Sequence, residues 1–117
     1  MIRVIIERRL KEGKRISQLI RQLRVKAMGQ KGHVSSEVLI DAEDSRLITV
    51  VATWSTLDHW KTWETSEQRA AINQEIQPLL TEPPVVKTYR VLSGEELDYM
   101  EDPEGWLRQV ERTSFDG

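Results

Sequence analysis

Four segments of the chain are rich in β-branched and other apolar residues, which predicts four β-strands. The segments are residues 2–10 (IRVIIERRL), 33–41 (HVSSEVLID), 46–54 (RLITVVATW) and 85–92 (VVKTYRVL). In the first segment, Arg8 continues the face that Val4 and Ile6 form. One charged side chain therefore ends an otherwise apolar stripe.

Between these strands, the hydrophobic period lengthens to that of an amphipathic helix. Residues 14–30 place five apolar side chains on one helix face: Ile16, Leu19, Ile20, Leu23 and Ala27. After the third strand, Ser55 is predicted to cap a short helix, and Thr65 or Ser66 to cap the next. The order β-α-β-β-α-β predicts an α+β fold, a ferredoxin-like sandwich with one antiparallel sheet.

The predicted strands are apolar or mixed on both faces. The second face carries five apolar residues: Ile5, Leu47, Val51, Val85 and Val91. Two helices cover only one face of a four-stranded sheet, and an antiparallel sheet with one face in water alternates apolar and polar residues more cleanly. We therefore expect a two-fold homodimer joined through the second sheet face.

The composition changes after residue 92, where the chain becomes strongly acidic. We predict one domain over residues 1–92 and an acidic C-terminal extension over residues 93–117. Within the extension, Asp102 and Pro103 are typical of the start of a short helix, and Trp106 gives that helix an apolar edge. A helix this short is marginal in water alone, so we expect it to dock on the domain or on a partner subunit.

The amino-acid composition excludes several classes of protein and of site. With 117 residues, 38% hydrophobic and 31% charged, the chain is typical of one soluble globular domain. The absence of cysteine excludes disulfides and thiolate metal sites, and the two histidines lack zinc-site spacing, so we expect no metal. No apolar run approaches the roughly 20 residues of a membrane span, and the N-terminal run is too short for a signal peptide. We expect a cytoplasmic protein without a membrane partner.

Basic residues concentrate in the first third of the chain. Residues 1–31 are strongly basic, whereas the whole chain has a net charge of −2. A basic segment can bind nucleic acid, or it can be a solvated helix face that attracts the acidic extension. The slightly acidic balance of the chain favours the second interpretation, so we expect no nucleic-acid partner.

Three of the four tryptophans lie within the segment WSTLDHWKTW (54–63). Trp54 ends the third strand, and the predicted helix after it places three residues on one side: His59, Trp60 and Trp63. Tryptophans at helical spacing are more often core than pocket wall, and a histidine beside them is more often at a surface or an edge. The pattern allows both a packed core and an indole-lined pocket.

Two further polar residues fall near the predicted apolar faces. Asn73 lies beside the stripe of the second long helix, where a buried amide needs a partner or a ligand. Arg8 ends the stripe of the first strand, and an ion pair with an acid such as Glu37 would account for it. We expect these groups to converge with the tryptophans between the sheet and its helices, at the end where the third strand exits.

Four stretches of the chain resemble the antibiotic biosynthesis monooxygenase domain family over about residues 1–92. They are MIRVIIERRLKEGK, GHVSSEVLID, TWSTLDHWKTWETSEQRAAI and PLLTEPPVVKTYRV. The resemblance implies a dimeric α/β barrel of ferredoxin-like subunits. It also implies a cofactor-independent monooxygenase that combines dioxygen with an aromatic, phenolic or quinol-like small molecule.

The resemblance allows roles to be assigned as hypotheses. Trp60 and Trp63 would stack on the substrate ring, Asn73 would bind a carbonyl or a peroxy intermediate, Arg8 would stabilise an oxyanion, and His33 would be the base. The candidate catalytic residues are Trp63, Asn73, Arg8 and His33. The candidate substrate-binding residues are Trp60, Trp54 and His59.

Two alternative functions are compatible with the same resemblance. One is a non-catalytic ligand-binding dimer of the same fold. The other is a haem-binding or haem-degrading protein, a branch whose strand asparagine falls at Arg8 and whose histidine ligand falls at Asn73. Because an amide is a poor ligand for haem iron, the haem alternative is the less favoured of the two.

Overall fold

The computed structural model describes residues 1–101, which form four β-strands and four α-helices. The elements are β1 (Ile2–Arg9), α1 (Ser17–Met28), β2 (His33–Ile40), β3 (Leu47–Trp54), α2 (Leu57–Glu64), α3 (Glu67–Ile76), β4 (Val85–Arg90) and α4 (Gly94–Glu101). The strands form one antiparallel sheet in the order β2-β3-β1-β4. The predicted ferredoxin-like fold is confirmed, and the sheet of a single chain is open.

The hydrophobic core lies between one face of this sheet and helices α1, α2 and α3. The central strands β1 and β3 pair over their full length, from Ile2 opposite Trp54 to Arg9 opposite Leu47. This register puts Arg8 opposite Ile48, on the face that the helices cover. The core is formed by buried residues that include Val4, Ile6, Ile20, Leu23, Val50, Trp54, Trp60, Trp63, Ile72 and Ile76.

The second sheet face is partly apolar, as the strand pattern predicts. Ile5, Leu47 and Val51 are partly exposed in the single chain, and Val85 and Val91 are exposed. Burying an apolar side chain that is left exposed is worth about 1.5–3 kcal/mol. This face is therefore a surface on which a covering layer would be favourable.

The caps of α2 and α3 separate two short helices that follow each other closely. The side chain of Thr56 caps α2 by accepting a hydrogen bond from the backbone N–H of His59 at 3.2 Å. The cap predicted at Ser55 is therefore wrong by one residue. Ser66 is one of the two cap positions predicted for α3. Its side chain caps the helix by accepting a hydrogen bond from the backbone N–H of Arg69. The helical path is broken between Glu64 and Glu67.

Helix α4 lies at the start of the predicted acidic extension and was not predicted from the sequence. Ser93 and Glu96 form a reciprocal capping box, in which each side chain accepts the other's backbone N–H at 3.1 Å. The predicted docking helix from Asp102 lies outside the described residues. No helix of the described chain is long and apolar enough to cross a bilayer.

Candidate functional site

A narrow cavity lies between the helix-covered face of the sheet and helices α1, α2 and α3. Its floor is formed by β1, β2 and β3, and its wall carries the three clustered tryptophans, Trp54, Trp60 and Trp63. The cavity has a volume of about 40 Å³, which holds a few water molecules but no aromatic ring. A ring-shaped ligand therefore requires side chains of the wall to move.

The tryptophans belong both to the core and to the cavity wall. Trp54 and Trp60 are each 1% exposed, and their ring centres lie 6.0 Å apart with the planes tilted by 58°. Trp63 is buried at the end of α2. Packing and a pocket are therefore compatible here, because the indoles that close the core leave their remaining edges on the cavity.

Arg8 is buried at the centre of the site. Its Nη2 donates a hydrogen bond to Oδ1 of Asn73 at 3.4 Å, and its Nε has no partner within residues 1–101. Burial, followed by the nearby charge of Arg69, lowers the pKa of Arg8 to about 10. The register excludes the ion pair with Glu37 that the sequence allowed, since Glu37 lies opposite Val51 on the other sheet face.

Arg69 is a component of the site to which the sequence analysis assigned no role. Its guanidinium carbon lies 5.3 Å from the centre of the Trp60 ring, a cation–π distance. Its Nη1 donates to the backbone oxygen of Glu64 at a long 3.5 Å. Burial lowers the pKa of Arg69, and the charge of Glu64 offsets part of that shift. The sequence feature that could have identified Arg69 as a site residue is its position one helical turn before Asn73.

His33 faces the cavity from the start of β2. Its ring meets Trp54 edge-on, with the centres 5.2 Å apart, and its Nε2 is buried without a partner in the described chain. Burial, then the charge of Arg24, lowers the pKa of His33 below its ordinary value of 6.5. The imidazole is therefore neutral at neutral pH and has a nitrogen free to accept a proton.

Neither His59 nor Asn73 lines the tryptophan cavity. Asn73 lines a neighbouring groove of about 260 Å³, which shares Arg69 with the cavity. His59 is not part of the cavity lining. Its Nδ1 lies 2.9 Å from the hydroxyls of both Ser55 and Thr56, so its contacts belong to the start of α2.

The cavity is electropositive. Three arginines line it, Arg8, Arg24 and Arg69, and no aspartate or glutamate among residues 1–101 does so. Arg24 is held by Ser36, to which it donates at 3.2 Å and 3.0 Å. Within the same residues, no three His, Cys, Asp or Glu side chains group as a metal site would need. This arrangement favours a ligand oxygen that carries negative charge.

Comparisons with known proteins point to one family and one fold. A family profile described as antibiotic biosynthesis monooxygenase matches residues 1–75. A conserved protein from Methanosarcina mazei Go1 is 18% identical, with a TM-score of 0.73 over 78% of this chain and 92% of that one. Rv0793 from Mycobacterium tuberculosis is 15% identical, with a TM-score of 0.72 over 79% and 95%.

A third solved structure carries the name antibiotic biosynthesis monooxygenase. It is 15% identical, with a TM-score of 0.72 over 80% of this chain and 100% of that one. Comparison with curated proteins gives no match. At these identities the solved structures establish the shared fold, and the profile match establishes kinship by sequence.

Proposed function

The chain belongs to the antibiotic biosynthesis monooxygenase family, and we propose that it is a cofactor-independent monooxygenase of an aromatic, phenolic or quinol-like small molecule. The observation that carries this proposal is the cavity itself. Indole rings for binding a flat molecule lie within the same enclosure as a buried cation and a neutral histidine. Once side chains of its wall move to admit a ring, such an enclosure can bind the ring, remove a proton from it and keep bulk water away.

In the proposed reaction, the substrate supplies all the electrons. Removal of a phenolic or activated benzylic proton gives an anion, and one electron passes from this anion to dioxygen. Recombination of the two radicals forms a carbon–oxygen bond and a peroxide. Cleavage of the O–O bond leaves one oxygen atom on the substrate as a carbonyl and releases the other as water. The substrate therefore loses two hydrogens and gains one oxygen.

Each proposed role follows from the position of a side chain. His33, whose Nε2 has no hydrogen-bond partner within residues 1–101, is the proposed base. Trp60 and Trp63 form the proposed ring-binding wall. Arg8 and Asn73, already joined by a hydrogen bond, are proposed to hold the substrate oxygen as its charge develops. His59, which contacts Ser55 and Thr56, is proposed to support the helix that carries the tryptophans.

We also propose that the working unit is a homodimer joined through the second sheet face. The partly apolar character of that face supports this proposal, since Ile5 and Val51 lie near its centre on adjacent, paired strands. A sheet-to-sheet contact would bury these residues and leave the helix-covered cavity of each subunit intact.

Oxygen consumption tests the proposed activity. We expect uptake above the uncatalysed rate with at least one member of a panel of hydroquinones and anthrones, in metal-free buffer. Trp63→Phe keeps an aromatic wall of smaller area, so uptake should fall while the protein remains folded. Lys61→Gln, an exposed change on the same helix, is the matched control. No uptake from any substrate, with Trp63→Phe behaving like the parent, would reject the oxygenase.

The non-catalytic ligand-binding dimer is the second candidate. The near-complete burial of Trp54 and Trp60 favours it, because core packing alone explains these residues without a catalytic role. The absence of turnover together with saturable binding of an aromatic probe would select it.

A haem group does not fit the residues present. The position that resembles the ligand histidine is Asn73, whose amide oxygen accepts a hydrogen bond from Arg8. An amide in this position is not a ligand that haem iron prefers. Titration with haemin should therefore give no saturable change in the Soret band.

A further inference from the structure

Two guanidinium groups, those of Arg8 and Arg69, line the cavity, and among residues 1–101 no carboxylate lines it. The charge of Glu64 offsets only part of the effect of burial on the pKa of Arg69. Arg8 is 2% exposed, and Arg69 lowers its pKa through their like charges. Within residues 1–101, the ion pairs of arginine side chains engage Arg9, Arg46 and Arg90 instead. Arg8 and Arg69 therefore differ from Arg9, Arg46 and Arg90, which have acidic partners.

A buried cation without a counter-ion is unfavourable unless hydrogen bonds or another charge compensate it. Arg8 has one long hydrogen bond to a neutral amide, and its buried Nε has no partner in the described part of the chain. Its donors are therefore available, and they lie in a cavity whose lining contains no acid from residues 1–101. A ligand with an anionic oxygen would supply both the missing acceptor and the missing charge.

The second guanidinium is placed to close the site over such a ligand. Arg69 lines both the tryptophan cavity and the groove that contains Asn73, so it separates the two spaces. It is held by the face of Trp60 and by one hydrogen bond of 3.5 Å. Arg24, at the boundary with another groove, makes two shorter hydrogen bonds to Ser36. Arg69 is therefore the more easily displaced side chain.

We propose that the cavity binds a planar aromatic anion, with its charged oxygen between Arg8 and Arg69 and its ring against Trp60 and Trp63. The ligand enters from the side of Asn73 when Arg69 moves off the Trp60 ring. This inference rests on the proposed function in one respect, since it names the substrate class of the same site. It makes Arg69 the residue that selects charged over neutral rings.

Binding measured without turnover tests the inference. Calorimetry with the full chain compares 4-hydroxybenzoate with its uncharged isostere 4-hydroxybenzamide. We expect the anion to bind at least about tenfold more tightly, because charge-assisted bonds to two guanidiniums are lost with the amide. A second comparison uses 4-nitrophenol above and below its own pKa, which separates phenolate from carboxylate recognition.

Variants test whether Arg69 is responsible for the preference for the anion over the amide. Arg69→Gln should bring the carboxylate and amide affinities together, and Arg69→Lys should restore only part of the difference, because lysine lacks the planar donor fork. Arg21→Gln removes the same charge from an exposed position on α1 outside the tryptophan cavity and should keep the full preference. Circular dichroism checks that each variant is folded. The test of the anion preference does not require an Arg8→Gln variant.

The outcomes separate this inference from the proposed activity. Equal affinity for the charged and the uncharged ligand in both comparisons, or a preference that survives Arg69→Gln, would overturn the anion site even if oxygen uptake is observed. A preference that depends on Arg69, without uptake from any substrate, would support the anion site and reject the monooxygenase. If only the phenolate arm shows the preference, the anion site stands and its ligand is a phenolate.

Discussion

At the scale of single residues, Gly32, directly before β2, lies in close contact with His59 of α2. Its φ of +89° lies in the left-handed region, and a Cβ at this position would lie 2.3 Å from Cγ of His59 and 2.5 Å from its Cβ. Since the Cβ of His59 is tied to its backbone, rotation of the ring cannot relieve the overlap. Gly32 therefore lets His59 pack directly against the turn before β2.

We predict that Gly32→Ala destabilises the protein much more than Gly13→Ala. Gly13 also has a positive φ, of +75°, but no neighbouring atom of the described chain lies within 4 Å of a Cβ built there. Gly13→Ala should therefore lower the free energy of unfolding only by the conformational cost of about 1–2 kcal/mol. Urea denaturation of the two variants measures the difference, and equal losses would show that the His59 contact adapts without cost.

The partly buried imidazole of His33 predicts a pH dependence of stability. Its pKa is lowered in the folded state, so between the ordinary value of 6.5 and the lowered one the unfolded chain binds a proton that the folded chain does not. The contribution of His33 is therefore fully present above pH 6.5 and declines as the pH falls through this interval. Unfolding free energies of the parent and of His33→Gln measure it. Parallel pH profiles would contradict it.

The sequence predicted several of the residues that converge at the site, but not how they pair. Arg8 and Asn73 were singled out because each is polar beside an apolar stripe, and the structure brings the two into contact. His33 was assigned as a base because of the ordinary pKa of its side chain. The stacking of Arg69 on Trp60 could not be predicted from the sequence, because it depends on the angle between α2 and α3. Likewise, His59 has a suitable side-chain type, but its rotamer directs it to Ser55 and Thr56.

At the scale of elements, the start of α2 depends on one hydroxyl. The side chain of Thr56 accepts a hydrogen bond from the backbone N–H of His59, whereas the side chain of Ser55 contacts the ring of His59. We predict that Thr56→Ala lowers the free energy of unfolding by about 1 kcal/mol, the ordinary value of an N-cap. Ser55→Ala should cost less, because it leaves the cap intact. Thermal melts rank the two variants, and the reverse order would assign the cap to Ser55.

Helix α4 shows where a local signal was present but not used. The spacing of Ser93 and Glu96 is that of a capping box, and the structure forms both of its hydrogen bonds. The Glu96 carboxylate also pairs with Arg90, and the hydrogen bond from Arg90 lowers the pKa of that carboxyl. The acidic composition of residues 93–117 does not by itself indicate this helix, whereas the spacing of Ser93 and Glu96 does.

At the scale of the whole molecule, the second sheet face predicts the oligomeric state. Light scattering should give about twice the 13.6 kDa mass of the chain. Val51→Glu would place a charge near the centre of that face and should shift the mass towards one chain. Val25→Glu makes the same exchange at an exposed position of α1 and should leave the mass unchanged. A parent protein with the mass of a single chain would reject the dimer.

The overall fold could be predicted from the sequence because it depends on two periodicities. Strands of period two and helices of period 3.6, in the observed order, leave few topologies for a domain of this size. The volume of the cavity could not be predicted in the same way. It depends on side-chain rotamers across several elements, and Arg69 and the indoles narrow it to about 40 Å³.

The break between α2 and α3 divides the site between two short rods. Trp60 and Trp63 belong to the first, and Arg69 and Asn73 belong to the second. A small change in the loop at residues 65–66 would reorient one set of contact groups relative to the other and leave every strand pairing in place. Variation within this loop is therefore a route by which relatives of one architecture could come to accept molecules of different sizes.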